Sequence, residues 1–467
     1  MGVAGTRRLG VAVVLGTSVG LNMFTSAIVN LALPTLADEF NVDITTIQWV
    51  ILAYFVTISS LHLPMGRLGD RFGRRRMFLI GSAIFAVGAV LSGFADSIWS
   101  LVAMRVVQGF GGGVMQAIGP PLLVSAFPDA ERGRATGIIG MMIAVGLLVG
   151  PAVGGLLIDT FGWQAIFFAN APLAGLVLVA GWFVLREPPG TRDRSFDLGG
   201  AVLAAAWIAP LVFFLNRGLH DGSLSPSALL AAGLSAGALL TFVLHQRRRS
   251  LPLLDLAVFR NPGFRIAVLT SYLGYGAYTS VMLLAPFLLQ NGLGFSVTRV
   301  GLLAAIVPSV GGVVSIPAGE LTDRFGHRWP RAAGLVLLAA GTLSLAAAGT
   351  GWGLAEVIPR LAIVGIGQGF LVGPNTSAIL GALPGNVGIT GGLLASSRTL
   401  ALATGQAVWG GLFAVVVTAG AGVAAALEAD PTGLLPGFRV AFLGAAAVAT
   451  IAAVIAARDR HRPNTRS

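Results

Sequence analysis

A short charged turn occurs twice in this chain, each time between two long apolar segments. The first copy reads Gly66-Arg-Leu-Gly-Asp-Arg-Phe-Gly-Arg-Arg-Arg76, and the second reads Gly319-Glu-Leu-Thr-Asp-Arg-Phe-Gly-His-Arg328. Self-similarity over such a distance indicates that one half of a chain repeats the other. We therefore expect two similar halves, each with the charged turn after its second apolar segment.

The composition places these halves in a membrane. Of the 467 residues, 55% are hydrophobic and only 10% are charged, and the mean hydropathy is +0.84. Soluble domains carry about 25% charged residues. About 20 apolar residues cross the hydrocarbon layer as a helix. The sequence predicts fourteen such spans and hence an all-α polytopic membrane protein, with spans at 10–36, 46–65, 77–95, 99–124, 135–158, 163–185, 198–216, 226–244, 266–289, 299–318, 331–348, 356–380, 388–418 and 438–457.

The arginines predict the orientation of these spans. All 30 basic residues are arginine, and most fall in the loops on the side of the two termini. The opposite loops contain only Arg217, Arg299 and Arg439. Basic loops stay in the cytoplasm, so both termini are predicted to be cytoplasmic. The net charge of +11 is then explained by anionic lipid. We expect a lipid-bilayer partner and no nucleic-acid partner, because no basic stretch interleaved with aromatic residues lies on a soluble domain.

The repeat also predicts the domain organisation. Residues 1–185 are expected to form an N-terminal six-helix bundle, and residues 266–457 a C-terminal six-helix bundle. Residues 186–265 contain two linkers and a pair of spans without a counterpart in the other half, and 458–467 form a cytoplasmic tail. A weaker echo of Arg105 in span 4 is Arg360 in span 12.

The charged turn is the first candidate functional motif. Its glycines permit tight turns, and its aspartates can accept hydrogen bonds from arginine or from a helix N-terminus. The turn resembles the loop between the second and third helices of the major facilitator superfamily, which implies a secondary transporter whose halves rock about a central site. In that family the motif latches the cytoplasmic gate; the alternative is a basic loop that only orients the helices. The candidate gate residues are Gly66, Asp70, Arg71, Gly73, Arg74, Asp323 and Arg324.

Charged side chains inside the predicted spans form the second group. A guanidinium within a span costs several kcal/mol unless it is paired or hydrated. Arg105 resembles the superfamily's fourth-helix motif, in which an arginine faces the cavity and takes part in proton coupling; the alternative is a structural contact. Arg360 and Arg398 are similar cases with weaker support. All 19 acids lie in loops or near span ends, so His62 is the titratable group left within a span, either as a proton carrier or as a structural histidine.

Small residues dominate span 5. Gly146, Gly150 and Gly154 recur every four residues on one helix face, followed by Gly155, and Pro151 interrupts the backbone hydrogen bonds. A neighbouring helix can approach such a face closely. The pattern resembles the fifth-helix motif of antiporter-type exporters in the superfamily and therefore indicates export, whereas the alternative is ordinary close packing.

Span 1 resembles the first-helix signature of the fourteen-span drug:proton antiporters, since Asn30, Ala32 and Pro34 match it. The family's acid is replaced by Thr25. A buried carboxylate is the usual means of exchanging a proton for a cationic substrate, so neutral or anionic substrates are favoured here. Candidate substrate contacts, each also explicable as packing, are Asn22, Thr25, Asn30, Tyr54, Gln116, Tyr275, Asn375 and Gln406.

Enzymatic functions lack support in the sequence. Without lysine there is no phosphate-binding Gly-x-x-x-x-Gly-Lys loop, and five histidines without any cysteine do not suggest a metal centre. The resemblance implies a monomeric efflux transporter of the inner membrane that needs no cofactor beyond the proton gradient and exports small amphipathic compounds by alternating access. The alternatives are a dedicated exporter of one metabolite, lipid or self-made antibiotic, and a transport-inactive membrane sensor.

Overall fold

The protein is helical throughout the part that the computed structural model describes. This part comprises residues 3–127, 132–187, 197–220, 225–249, 254, 256–349, 351–382, 387–420 and 431–459. Its α-helices are α1 (Val3–Phe40), α2 (Ile44–Ile47), α3 (Trp49–Phe72), α4 (Arg74–Gly93), α5 (Ile98–Ala126), α6 (Arg132–Phe161), α7 (Gln164–Val184), α8 (Leu198–Ala206), α9 (Ile208–His220), α10 (Pro226–Arg248), α11 (Pro262–Phe287), α12 (Val297–Ala304), α13 (Ile306–Phe325), α14 (Arg328–Leu345), α15 (Leu354–Ala382), α16 (Val387–Gly420) and α17 (Leu435–Ala457). Most of the linker after Glu187 and most of the C-terminal tail lie outside the described residues.

The fourteen predicted spans correspond to these helices. Thirteen segments of the described chain are long and apolar enough to cross a membrane. Helix α14 is the remaining predicted span: its 18 residues start with Arg328 and Arg331 in the first turn, which lowers its hydropathy. At 1.5 Å per residue it is about 27 Å long, close to the thickness of the hydrocarbon layer. The predicted all-α membrane fold is confirmed.

The charged turns are shorter than predicted. Helix α3 continues through Gly66 to Phe72, and α4 starts at Arg74, so the chain reverses at Gly73 alone, with φ of 99°. In the second copy α13 ends at Phe325 and Gly326 has φ of 78°. A positive φ strains residues that have a β-carbon, which explains glycine at these two positions. The prediction that Gly66 forms a tight turn is wrong, because that residue is helical.

The chain forms two compact units. The first comprises Met1–Ala32, Trp49–Pro210 and Gly233–Leu254, and within it α5 packs against α3 and α4, while α4 also packs against α7. The second comprises Leu33–Gln48, Leu211–Ala232 and Asp255–Ser467, and within it α15 packs against α13 and α14, while α14 also packs against α17. The same order of helices therefore makes the same contacts in each unit.

Glycines show that these contacts also share one register. A β-carbon added at Gly109 of α5 would lie 3.0 Å from the carbonyl oxygen of Tyr54 in α3. One added at Gly365 of α15 would lie 2.7 Å from the carbonyl oxygen of Val307 in α13. Both glycines thus bring two helix backbones together, and they identify Tyr54 and Val307 as equivalent positions.

The neighbouring face of the same two helices repeats this arrangement. Gly111 of α5 lies against the backbone of α4 at Gly81, and Gly367 of α15 lies against the backbone of α14 at Gly334. Because Gly109 corresponds to Gly365 in this register, Arg105 corresponds to Leu361, whose side chain is 1% exposed. The interpretation of Arg360 as the echo of Arg105 is therefore wrong, and Arg105 has no charged counterpart in the second unit.

Candidate functional site

The first charged turn is attached to the end of span 6. Arg75 donates from Nε to the carbonyl oxygen of Leu185, at 2.8 Å, and from Nη2 to that of Trp182, at 2.7 Å. Its guanidinium carbon also lies 5.2 Å from the centroid of the Trp182 ring. One arginine thus satisfies carbonyl groups at the C-terminal end of α7, where the helix leaves them without partners.

An acid completes this attachment. The backbone N–H of Arg75 donates to Oε2 of Glu187 at 3.1 Å, so the carboxylate lies at the N-terminus of α4, where the helix dipole favours negative charge. A β-carbon at Gly73 would lie 2.9 Å from the same oxygen. Glycine is needed at this position both for its positive φ and for the approach of Glu187.

The second turn has the same construction. Arg328 donates from Nε to the carbonyl oxygen of Ala457, at 2.8 Å, at the end of α17. Arg331 donates from Nη2 to Oδ2 of Asp459 at 2.7 Å, and both side chains are fully buried. Nε2 of His327 lies 3.6 Å from the same oxygen. In each unit a turn after the second span therefore binds a carbonyl group at the end of the sixth span, Leu185 or Ala457, and an acid two residues after that carbonyl group.

The predicted gate residues have different surroundings. Arg71 and Arg324 are exposed, and Arg74 donates from Nη1 to the carbonyl oxygen of Pro121 at 3.4 Å. The side chains of Asp70 and Asp323 lie outside the described residues. The sequence interpretation missed Glu187 and Asp459. Their signal was available, since an acid follows the sixth span at the same distance in both halves.

Arg105 is enclosed within the first unit. It is 0% exposed, it donates from Nε to the carbonyl oxygen of Val50 at 3.0 Å, and it donates from Nη1 to Gln108. Its guanidinium carbon lies 4.1 Å from the centroid of the Tyr54 ring, a cation–π contact. Among the described residues no carboxylate lies within salt-bridge distance of Arg105. The guanidinium is stabilised instead by the carbonyl group of Val50, the amide side chain of Gln108 and the ring of Tyr54.

Thr25, which replaces the family's acid in span 1, is also buried. Thr25 is 0% exposed and donates to the carbonyl oxygen of Leu21, at 2.8 Å, and to Oδ1 of Asn170, at 2.5 Å. Asn22 accepts a hydrogen bond from the hydroxyl of Tyr54 at 2.7 Å. The polar residues of span 1 thus connect α1 to α7 and α3 through neutral hydrogen bonds.

Most other predicted substrate contacts are buried too. Asn30 is 2% exposed and donates to the carbonyl oxygen of Ser26, and Gln406 is 0% exposed. Asn375 is 1% exposed and, with its amide oriented to satisfy both atoms, donates to the carbonyl oxygen of Ala267. All three side chains are buried, and Asn375 connects α15 to α11.

Two predicted candidates from neighbouring helices come together. His62 of α3 is 8% exposed and is hydrogen-bonded to the side chain of Gln116 in α5, which is half-buried. No group of three or more histidine or acidic side chains suited to hold a metal ion occurs in the described part of the chain.

Arginines of the second unit lie beside aromatic rings. Arg360 donates from Nη1 to the carbonyl oxygen of Glu356, and its guanidinium carbon lies 4.1 Å from the centroid of the Trp352 ring. Arg398 of α16 is half-buried, and its guanidinium carbon lies 4.7 Å from the centroid of the Tyr275 ring in α11. The structure therefore brings together Arg398 and Tyr275, two candidates that the sequence analysis listed separately.

The glycine face of span 5 lies against span 1. A β-carbon at Gly146 would overlap the carbonyl oxygen of Gly20, and one at Gly150 would lie 3.1 Å from that of Phe24. At Gly154 it would overlap the side chain of Ile28. Pro151 and Gly155 are buried on the same helix, α6. The contact between α6 and α1 is thus a backbone contact with no room for a side chain.

The inserted helices of the first unit are connected through Asp197. Its carboxylate accepts from the backbone N–H of Gly200, at 2.9 Å, and from the amide of Gln246, at 3.2 Å, and lies 2.7 Å from Nε2 of His245. Burial raises the pKa of this carboxyl group, but the hydrogen bonds from His245, Gly200 and Gln246 and the charge of His245 together outweigh burial and hold the pKa below its usual value. Asp197 therefore joins the start of α8 to the end of α10.

A second polar contact involves an inserted helix. In the second unit Asn216 of α9 donates to Oε1 of Gln48 at 3.0 Å, and both side chains are 0% exposed. A β-carbon at Gly410 of α16 would overlap the Gln48 side chain. The sequence analysis did not identify Gln48 or Asn216. Each is an isolated amide in an apolar stretch, and no sequence pattern connects one to the other.

A duplicated bundle of membrane-spanning helices, with buried arginines and glycine-lined helix contacts, defines this protein as a multi-pass membrane transporter. The profile of the Major Facilitator Superfamily matches residues 15–406. The chain belongs to this superfamily, as the charged turns predicted.

Known proteins agree with this assignment. The chain is 32% identical over 409 residues to the multidrug resistance protein Stp of Mycobacterium tuberculosis (strain CDC 1551 / Oshkosh), a match that covers 87% of this chain and 76% of that protein. It is also 32% identical over 410 residues to the tetracenomycin C resistance and export protein of Streptomyces glaucescens, covering 86% and 75%. The crystal structure of a bacterial homologue of the human lysosomal transporter Spinster has the same fold, with a TM-score of 0.70 at 16% identity, covering 98% of this chain and 99% of that one.

Replacement of Asp459 by asparagine is expected to destabilise the second unit by about 3–5 kcal/mol, because it leaves the fully buried guanidinium of Arg331 without its anion. The measurement is thermal unfolding of the purified protein. A double variant, Arg331→Met with Asp459→Leu, should recover most of the loss, since it removes both charges. An Asp459→Asn variant as stable as the wild type would contradict this prediction.

Replacement of Gly146 by alanine is expected to destabilise the first unit by about 1–3 kcal/mol, because the added methyl group must displace α6 from α1. Gly175→Ala in α7 is the matched control, since a β-carbon there meets no atom within 4 Å. Thermal unfolding of the two variants tests the prediction, and equal midpoints would show that the contact of α6 with α1 is looser than described.

Replacement of Asp197 by asparagine is expected to destabilise the protein by about 1 kcal/mol, because asparagine can still cap α8 but lacks the negative charge that faces His245 and the helix N-terminus. The pKa of Asp197 is lower in the folded protein, so its carboxylate stabilises the fold fully above about pH 5 and ceases to do so as the pH falls through the folded pKa. Unfolding measured from pH 3 to pH 7 should show the two proteins converging at acid pH. Asp96→Asn, at an exposed position, serves as the control, and a difference independent of pH would contradict the assignment.

Proposed function

We propose that this protein is a secondary active transporter of the fourteen-span drug:proton antiporter type that exports small amphipathic organic compounds across the cytoplasmic membrane. The observation that carries the direction of transport is the backbone contact between the glycine face of α6 and α1, at Gly146 and Gly20. Such a contact allows helices to slide while remaining close. The names of the two relatives, a multidrug resistance protein and a resistance and export protein, support the same direction.

The charged turns are proposed to act in gating. Each turn fixes the end of the sixth span to the start of the third through Arg75 with Glu187, or through Arg331 with Asp459. The bundle ends therefore move as rigid pieces when the gate opens. Gly66, Asp70, Arg71 and Arg74 of the first turn, with Asp323 and Arg324 of the second, are proposed to form and release the latch at the cytoplasmic side, where both termini also lie.

Proton coupling is proposed to involve His62 with Gln116, rather than an acid in span 1. The enclosed pair of Thr25 and Asn170 is neutral and cannot carry a proton at physiological pH. Arg105, held between Val50 and Tyr54, is proposed to fix the contact of α3 with α5, the helices that carry His62 and Gln116, and to influence coupling in this way. One chain supplies both units, so a monomer is the proposed functional form, and the proton gradient is the proposed energy source.

A dedicated exporter of one compound is the second candidate. The relative named for resistance to tetracenomycin C and its export favours this alternative. Growth inhibition by chemically unrelated toxicants distinguishes the two, since protection against several classes indicates a multidrug exporter and protection against one class indicates a dedicated exporter.

Cells that express the protein are expected to expel amphipathic dyes, for example neutral Nile red, several times faster than cells with an empty vector. A protonophore should abolish the difference, because collapse of the proton gradient removes the driving force. Dye fluorescence in pre-loaded cells is the measurement. Export that continues unchanged after the proton gradient has collapsed would contradict proton coupling.

The coupling residues are tested in the same system with His62→Ala and Arg105→Ala. In vesicles that receive a pH jump, each variant should export dye more slowly or lose its dependence on the pH difference. Unchanged coupling in both variants would overturn the assignment of His62 and Arg105, without affecting the proposed direction of transport.

A further inference from the structure

Arg105, Arg360 and Arg398 are the arginines that the sequence analysis placed within spans, and each must be stabilised against the low dielectric of its surroundings. Two of them bind groups of the protein, and one donor of each, Nη2 of Arg105 and Nε of Arg360, is buried without a hydrogen-bond partner among the described residues. Arg105 has the carbonyl oxygen of Val50, the side chain of Gln108 and the ring of Tyr54. Arg360 has the carbonyl oxygen of Glu356 and the ring of Trp352.

Arg398 differs from both. Its guanidinium contacts the ring of Tyr275, but within the described ranges it makes no hydrogen bond and no ion pair. Tyr275 is only 4% exposed, so the guanidinium lies over a ring of the protein interior and not on a lipid-facing surface. Arg398 itself is half-buried, which leaves its N–H groups accessible. The second unit therefore contains a positive charge within the membrane whose donors are open.

The surroundings of this charge select a class of ligand. One face of the guanidinium lies on Tyr275, while the N–H donors at its edge match the two oxygens of a carboxylate or sulfonate. Tyr278 lies on the same helix as Tyr275, and its phenol interacts electrostatically with the charge of Arg398. One turn away, the hydroxyl of Tyr272 is hydrogen-bonded to Thr404 at 2.8 Å. Aromatic surface next to a fixed cation suits a flat molecule that carries an acidic group.

We propose that Arg398 and Tyr275 form an anion-binding subsite of the second unit, which receives the acidic group of an aromatic substrate. This inference rests on the proposed export function and specifies its substrate class. A cationic compound would be repelled by Arg398.

Binding of two dyes with the same xanthene framework tests the proposal. Fluorescein is anionic and rhodamine 123 is cationic, and their binding to the purified full-length protein in lipid nanodiscs is measured by fluorescence anisotropy. The wild type should bind fluorescein roughly tenfold or more tightly than rhodamine 123. Arg398→Gln should weaken fluorescein binding by roughly tenfold or more and leave rhodamine 123 binding unchanged or stronger.

Further variants separate charge from packing. Arg398→Lys keeps the charge but loses the planar fork, so an intermediate loss is expected. Tyr275→Phe keeps the ring and should retain most of the affinity, whereas Tyr275→Leu should not. Arg299→Gln, at an exposed position at the start of α12, removes one positive charge elsewhere in the second unit and should leave both affinities unchanged.

Three results would overturn the proposal: no binding of fluorescein by the wild type, unchanged fluorescein binding by Arg398→Gln, or equal weakening of both dyes. If Arg398→Gln is not recovered as monodisperse protein, the dye selectivity of Arg398→Lys decides. Binding in nanodiscs does not depend on export. If cells export dye but fluorescein binding does not depend on Arg398, the subsite is refuted and the export function is not. If fluorescein binding depends on Arg398 but cells do not export dye, the export function is refuted.

Discussion

Direct contact between helix backbones is the constraint on which this structure depends. Inside a bilayer, apolar side chains gain little by leaving lipid for protein, so helices associate through close packing and hydrogen bonds. In α5 and α15 alternate glycines provide that packing, with Gly109 and Gly365 facing one neighbour and Gly111 and Gly367 facing the other. A side chain at any one of these positions would push its helix away from the neighbour that the glycine faces. The repeated glycines therefore fix the register of neighbouring helices in both units. This register determines which polar side chains face each other.

The polar contacts follow from a second constraint, since hydrogen-bonding groups in lipid need partners within the protein. Arg75 and Arg328 satisfy carbonyl oxygens at the ends of α7 and α17, where no further helical turn provides donors. In the span interior, Thr25 binds the side chain of Asn170 and a carbonyl oxygen of its own helix. Each unit is therefore held by two kinds of contact with different chemistry, glycine packing and hydrogen bonds between helices.

The parts of the structure that the sequence predicted are those set by local composition. Hydropathy located the spans, and the recurring charged motif located two chain reversals, although only Gly73 and Gly326 form them. Partnerships across helices were not predictable in the same way. Thr25 was recognised as a missing acid, but nothing near it in the sequence indicated Asn170. Arg360 was aligned with Arg105 by similar neighbours, and only the packing of Gly109 and Gly365 revealed the correct register.

That register shows where the two halves have diverged. Tyr54 in the first unit corresponds to Val307 in the second, and Arg105 corresponds to Leu361, so the enclosed arginine and its ring belong to one unit only. The second unit has its own arginine–tyrosine pair on other helices, α16 and α11. A duplicated frame thus carries one arginine, Arg105, that donates to protein groups from Nε and Nη1, and another, Arg398, that makes no hydrogen bond within the described residues. The difference arises from the partners that each pair of helices offers to its arginine. The glycine contacts keep the same register in both units, and the residues between them differ from one unit to the other.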